Sequence, residues 1–297
     1  MRVLLKFWIP LIVVLIVLDF GIGTAMEKLY SAQTKGDIGK INYLLKRSDE
    51  KVLFMGSSKT QNGYDPVSFE NETGLSAYNA GFAGKITPYH YALLELILDN
   101  HNPELIILDI TDKDLWDMGM NESFEEISSL SPWYGSNSTV DSLLENASFF
   151  ERFKLTSKLY PFNSKILLML KTSDNFFKGH KRVEKAWDSD IEINSRRYDQ
   201  IGKKRREFIY RFIQRCKEER IKLVLVISPV YMISDGSEFH ELKKIAEACE
   251  VPVLDMYQEF DIISHKEYFA DKTHLNYLGS QIFTELLVER IFTANSE

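Results

Sequence analysis

Lys51-Val-Leu-Phe-Met-Gly-Ser-Ser58 is the stretch on which the fold turns. Its apolar residues run without polar interruption and stop at once at Gly56 and two serines. That is the pattern of a parallel strand buried on both faces, at the point where it meets a loop. Comparable runs follow downstream: Ala77-Tyr-Asn79, weaker, then Leu105-Ile-Ile-Leu-Asp109, Lys222-Leu-Val-Leu-Val-Ile-Ser228 and Val251-Pro-Val-Leu-Asp255. Between and after them lie stretches of helical spacing: Pro88 to Leu98, Lys203 to Glu219 with Phe208, Phe212 and Cys216 on one side, Ser237 to Cys249, and a helix from around Leu278. Strands alternating with helices predict an α/β protein, a three-layer α/β/α sandwich around a central parallel sheet with right-handed crossovers. Sites in such sheets gather beyond the carboxyl ends of the strands, so the loops that follow the strands are the ones to search.

Upstream of this domain, Arg2 and Lys6 precede the apolar run Phe7 to Leu18, which continues through Asp19-Phe-Gly-Ile22. Two readings compete. A cleaved signal peptide needs small residues before its cut, and Gly23-Thr-Ala25 is a fair match only. An uncleaved anchor uses Val3 to Ile22, about 20 residues and roughly the thickness of a hydrocarbon core. The anchor is favoured, giving a signal-anchor transmembrane helix over 1–26, a polar juxtamembrane linker with a short helix over 27–50, and the α/β/α domain over 51–297. With Arg2 and Lys6 held in the cytoplasm, the domain is expected outside it, periplasmic or at the cell surface, in a single-pass arrangement. A segment from about 118 to 197 breaks the strand–helix rhythm and is rich in aromatics, among them Trp133, Phe149, Phe150, Phe153, Phe162 and Trp187. It reads as an inserted helical cap, whose aromatics for the most part pack it onto the core.

The net charge of -7 argues against a nucleic-acid surface, which needs clustered Lys and Arg. Cys216 and Cys249 are too few for a disulfide framework and lack ligand neighbours at useful spacing, so no metal is expected. The Gly81/Gly84 pair lacks the spacing of a dinucleotide site and no P-loop lysine follows it, so no nucleotide cofactor is expected either.

Three loops carry candidate chemistry. Gly56-Ser-Ser58-Lys-Thr60 presents a serine at a strand-to-loop junction, where hydroxyl and backbone N–H can serve as nucleophile and oxyanion donor together. An ordinary polar turn or an anion-binding nest reads the same way. Asn79-Ala-Gly-Phe-Ala-Gly84 holds glycines that permit unusual backbone or close approach. Asp271-Lys-Thr-His274-Leu-Asn276 places a carboxylate where it can fold back onto one imidazole nitrogen and leave the other for a serine, or where it merely caps a helix beside an exposed histidine.

Taken in chain order, Gly56-x-Ser58, Asn79-x-Gly-x-x-Gly84 and Asp271-x-x-His-Leu-Asn276 resemble the blocks of the SGNH/GDSL hydrolase superfamily, from about Lys51 onward. The flavour is that of membrane-anchored relatives associated with cell-envelope polysaccharide and teichoic-acid modification, whose first block often reads Gly-Ser-Ser. The resemblance implies a flavodoxin-like fold, Ser58 as nucleophile, His274 as base oriented by Asp271, and Ser58 and Gly84 N–H groups as oxyanion donors. It further implies a serine esterase or O-acyltransferase acting on acyl, above all acetyl, esters of envelope or exported glycan, with an acyl-transfer membrane protein as a partner in the second case. The family pattern departs at one point: its asparagine after the third strand is missing from Leu108-Asp-Ile-Thr-Asp-Lys-Asp114, leaving Thr111 or a backbone N–H near Asp112 as the substitute oxyanion donor. A carboxylate pointing in from Asp112 would repel the oxyanion, and the missing asparagine motivates the alternative of a catalytically silent accessory protein that binds glycan or a membrane partner through the same cleft.

Overall fold

The structure, a computed structural model, describes residues 2–115, 126–169, 176–187, 202–231 and 236–293. Helix α1 (Arg2–Ser31) enters α2 (Gly36–Lys46) through a short turn, and β1 (Val52–Gly56) follows. Then come α3 (Ser58–Gly63), α4 (Pro66–Thr73), β2 (Ala77–Gly81), α5 (Thr87–Leu98) and β3 (Leu105–Asp109). After the insertion, in which α6 (Ser138–Glu145) is the longest described helix, the chain forms α7 (Lys203–Glu218), β4 (Lys222–Ile227), α8 (His240–Ala248), β5 (Val253–Asp255) and α9 (Tyr277–Thr293).

The five strands make one parallel sheet in the order β2-β1-β3-β4-β5. This is the α/β/α sandwich that the apolar runs predict. The side chains show why the strands read as unbroken apolar runs: Leu53 and Met55 of β1 enter one core with α2, α5, α7 and α8, while Val52 and Phe54 enter the other with Tyr64, α4 and α9. Ile106 and Leu108 of β3 and Leu223 and Leu225 of β4 alternate in the same way. With no solvated face there is no polar position in the period-two pattern. Each fully buried side chain of this size contributes roughly 1.5–3 kcal/mol, so Val52 to Met55 alone anchor the sheet. Strand order 2-1-3 reverses direction between β1 and β3, and that switch point is where a doubly wound sheet opens its crevice.

The free edge at β2 is covered. A two-residue hairpin, Phe176–Phe177 against His180–Lys181, lies alongside it, the Asn79 N–H donating to the Lys178 carbonyl at 3.0 Å and Lys178 pairing with Glu70 at 2.5 Å. Covering an edge in this way removes a template for unwanted strand pairing. The expected cap over 118–197 is seen at 126–169 and 176–187 as short helical turns, α6 and this hairpin; its other positions lie outside the described residues. Of its aromatics, Trp133, Tyr134 and Tyr160 pack against the core, whereas Phe149, Phe150 and Phe153 are exposed.

Helix α1 does not stop at Met26. It runs unbroken to Ser31, and its stretch from Lys6 to Ser31 is long and apolar enough to cross a membrane or to serve as a signal sequence. The segment after it is folded onto the domain: Ile41, Leu44 and Leu45 of α2 are buried in the main core.

Candidate active site

Ser58 is the first residue of α3, immediately beyond the carboxyl end of β1. Ser57 caps that helix, its hydroxyl accepting the Lys59 N–H at 3.3 Å. The first N–H groups of a helix have no acceptor within it, so the Ser58 N–H emerges at the switch point beside its own hydroxyl. From the far end of the chain the loop 269–276 comes to meet it. Phe269 bridges Leu275, the buried Asn276 amide donates to the Glu267 carbonyl at 2.6 Å, and its oxygen accepts the Gly279 N–H at 2.9 Å, fixing the loop to the start of α9.

The result is a continuous line. Ser58 Oγ lies 2.8 Å from His274 Nε2, and His274 Nδ1 lies 2.8 and 2.9 Å from the two Asp271 oxygens. A carboxylate on Nδ1 holds the proton there and leaves Nε2 to accept from the serine hydroxyl. The Asp271 carboxyl is partly buried, which by itself raises its pKa, but hydrogen bonds from the His274 ring and the Thr273 N–H and hydroxyl outweigh that and hold it well below the usual carboxylate range. Asp271 is therefore an anion at neutral pH, matched to an imidazolium if one forms. All three residues expected from the sequence are thus brought together, although residues 58 and 274 are 216 positions apart.

Gly84 sits in the turn after β2, closed by the Lys85 N–H donating to the Phe82 carbonyl at 3.1 Å, with φ +73°, a conformation that favours glycine. The turn is tied to the serine loop by the Phe82 N–H donating to the Gly56 carbonyl at 2.9 Å. Asn79, the first residue of the same block, is spent on scaffolding: its amide donates to the Thr60 and Tyr64 carbonyls at 2.7 and 2.8 Å, bolting α3 to β2.

The expectation that Thr111 supplies an oxyanion donor is corrected by its hydrogen bonds. Its N–H and hydroxyl both donate to Asp114, at 2.9 and 2.7 Å, so neither is left for a substrate. Asp114 is a buried hub that also accepts the Thr87 N–H and hydroxyl at 2.6 and 2.7 Å, joining the loop after β3 to the start of α5. Asp112 is half-buried, and burial raises its carboxyl above the ordinary value while the charge of Lys59 pulls it back.

Lys59 and Asp109 escaped the sequence reading. Asp109, fully buried at the end of β3, accepts the Ser228 N–H and hydroxyl at 3.1 and 2.9 Å, and burial pushes its pKa up. The Lys59 ammonium donates to the Ser228 carbonyl at 2.8 Å. Burial lowers its pKa, and the carboxylates of Asp109, Asp112 and Asp114 oppose that. Lys59, next in sequence to Ser58, thus stands among the acids at the end of β3 and in the loop after it. The only sequence cue is the charge pattern of 108–114 beside a lone lysine. Near the histidine loop, Trp187 and Tyr231 pack edge to face at 5.2 Å, the Trp187 N–H donating to the Phe269 carbonyl and the Tyr231 N–H to that of Lys272. A second His–Asp pair, His180 and Asp65 at 3.4 Å, is wholly buried; its Nε2 faces the Asn62 carbonyl and buttresses α3. Among the described residues no three His, Cys, Asp or Glu side chains cluster to hold a metal ion.

No protein-family model and no curated protein matches the sequence. Solved structures similar to it include a psychrotrophic esterase from Pseudoalteromonas sp., at 10% identity over 84% of this chain and 100% of that one, TM-score 0.46. Others are a lipase/acylhydrolase from Enterococcus faecalis, at 15% identity over 82% and 95% with TM-score 0.41, and a catalytic mutant of an acetylxylan esterase from Geobacillus stearothermophilus, at 12% identity over 82% and 94% with TM-score 0.42.

Proposed function

We propose that the protein is a membrane-anchored, extracytoplasmic serine esterase or O-acyltransferase, acting on acetyl or other short acyl esters of envelope or exported polysaccharide. The observation that carries this reading is the unbroken Ser58–His274–Asp271 hydrogen-bond line at the switch point of the sheet. His274 Nε2 takes the hydroxyl proton as Ser58 Oγ attacks the ester carbonyl, and the N–H groups of Ser58 and Gly84 receive the negative charge of the tetrahedral intermediate. His274 then returns the proton to the leaving alcohol. Water or a sugar hydroxyl, activated by the same imidazole, releases the acyl group and decides between hydrolysis and transfer. The half-exposed Asp271 suits a site open to a bulky substrate. Placement outside the cytoplasm rests on α1 as an anchor with Arg2 and Lys6 inside.

Labelling of the full chain in detergent with a fluorophosphonate tests the assignment. Wild type should label, Ser58→Ala should not, and His274→Ala should label at least about 100-fold more slowly, in keeping with the loss of a general base. Equal labelling of wild type and Ser58→Ala, or none of either, favours the accessory-protein reading. A preference for long-chain over acetyl nitrophenyl esters argues against a glycan ester and for a lipid ester.

A further inference from the structure

The structure gives the inserted cap a second role. Four positions on one face of α1 hold it. The Asp19 carboxylate accepts the Ser157 hydroxyl at 2.5 Å and the Lys158 N–H at 2.8 Å. One turn on, Gly23 lies so close to Lys158 that a Cβ there would stand 2.5 Å from its carbonyl carbon. Glu27 pairs with the Lys158 ammonium at 2.8 Å, and Tyr30 packs on Phe162 with ring centroids 5.7 Å apart. Positions 19, 23, 27 and 30 follow the helical period, so the cap is docked along a stripe of α1.

The level of that stripe is informative. Asp19 lies inside the apolar run, about one turn, or roughly 5 Å, before Ile22. A carboxylate buried in the hydrocarbon is costly, and here its partners are backbone and hydroxyl groups of the cap. The turn 157–159 therefore sits beside the last apolar turn of the helix. On either side of this docked segment the cap exposes large apolar side chains: Phe149 is 92% exposed, Phe153 81% and Leu167 80%, with Phe150, Ile166 and Leu168 beside them. Arg152, Lys154, Lys158 and Lys165 are interleaved with them in sequence, the first three paired with Glu145, Glu151 and Glu27. Bulky apolar and aromatic residues alternating with basic ones, next to a membrane-entering helix, have the composition of a surface that lies in the headgroup layer.

We infer that this face of the cap, around Phe149, Phe153 and Leu167, is embedded in the interface of the bilayer that α1 crosses, as a second membrane contact. The inference rests on the reading of α1 as an anchor. It makes the domain a body seated on the lipid, not one swinging on a tether. Burial of each such side chain in the acyl boundary gains what the fold itself leaves unburied.

The test uses the full chain reconstituted into vesicles of phosphatidylcholine containing phosphatidylglycerol. A polarity-sensitive fluorophore is placed at Phe149→Cys, Phe153→Cys or Leu167→Cys, in a Cys249→Ser background because Cys216 is buried. Lys222→Cys, at the start of β4, serves as the aqueous control. The three cap probes should emit further to the blue than the control and lose about half or more of their emission to lipids spin-labelled near the headgroup, as shallow insertion requires. Cap probes that match the control and are quenched equally by aqueous iodide overturn the inference. Alkaline carbonate extraction separates the two readings: protein retained in the vesicles with cap probes in water sinks the cap contact alone, whereas protein released from them sinks the anchor and the cap contact with it.

Discussion

At the scale of single residues, the Ser58–His274–Asp271 line is uneven in its exposure, and that sets how much each member should matter. Asp271 is 52% exposed and His274 25%. A buried triad carboxylate replaced by its amide costs about 10⁴-fold in turnover, through the wrong imidazole tautomer. Here water reaches the carboxylate and the Thr273 hydroxyl stands 3.1 Å from Nδ1, so other partners for that nitrogen exist. Asp271→Asn is therefore expected to cost less, about 10² to 10³-fold in kcat with KM little changed, read on acetyl nitrophenyl ester. The same variant checks the depressed pKa. A carboxyl lowered in the folded state contributes stability above its unfolded value of about 3.9, and the contribution fades as pH falls through that value toward the folded one. Wild type should thus exceed Asp271→Asn by less than about 1 kcal/mol near neutrality, given solvent screening, with the gap closing below about pH 4 in denaturant titrations. A gap that widens in acid would contradict the assignment. Sequence disclosed these three residues because each sits at a strand end or in a local Asp-x-x-His loop. It did not disclose Lys59, Asp109 or Asp114, whose partners arrive from other elements, Ser228 at a separation of 169 from Lys59 and Thr87 at 27 from Asp114.

Elements were legible where burial is two-sided. β3 spans Leu105–Asp109 as its apolar run predicts, and α5, α7 and α9 begin within a residue of expectation. β2 is longer than expected, reaching Gly81, because Asn79, polar in sequence, turns its amide into the α3 scaffold. β5 is shorter, Val253–Asp255, since at the sheet edge its side chains are only half-buried or exposed and pairing begins after Pro252. How an element delivers its residue to the site can be tested at two glycines. Gly56 closes β1 with φ +144°, and an added Cβ would lie 2.2 Å from Thr60 Oγ1 and 2.9 Å from the Asp109 carbonyl. Gly84 has φ +73° with open space around it. Gly56→Ala should displace α3 from the sheet and lower stability by about 1–3 kcal/mol, with turnover falling about 100-fold as Ser58 shifts. Gly84→Ala should cost about 1 kcal/mol in strain, and because alanine keeps the backbone N–H and the space around it is open, turnover should fall by less than about 10-fold. Thermal melts and kcat on the same preparations distinguish the two; a loss of turnover at Gly56→Ala no larger than at Gly84→Ala would show that Gly56 does not position Ser58.

At the scale of the whole molecule, the apolar helix α1 and the domain meet at Tyr30. Tyr30, at the end of α1, is buried with Ile38 and Phe162, and its carbonyl accepts the Asn42 amide at 2.7 Å. Polar residues around it give the segment after Met26 the composition of a linker, because a helix with one apolar stretch and one stretch docked on the domain has no single period in its pattern. A soluble chain starting at Gly23 should keep this contact, and one starting at Thr34 should lose it. The difference is expected at about 2–4 kcal/mol, the scale of deleting a buried aromatic, or a melting temperature lower by roughly 5–15 °C. Identical melting of the two would show that the end of α1 contributes nothing to the stability of the domain.

The separation of 216 residues between serine and histidine also has a meaning in time. A ribosome makes the hydroxyl first and the imidazole that activates it only after the sheet, the cap and α8 have been synthesised. Throughout that interval the nascent chain carries an ordinary alcohol at Ser58, with no imidazole to take its proton. A product broken off before residue 274 holds the serine without the partner that would activate it.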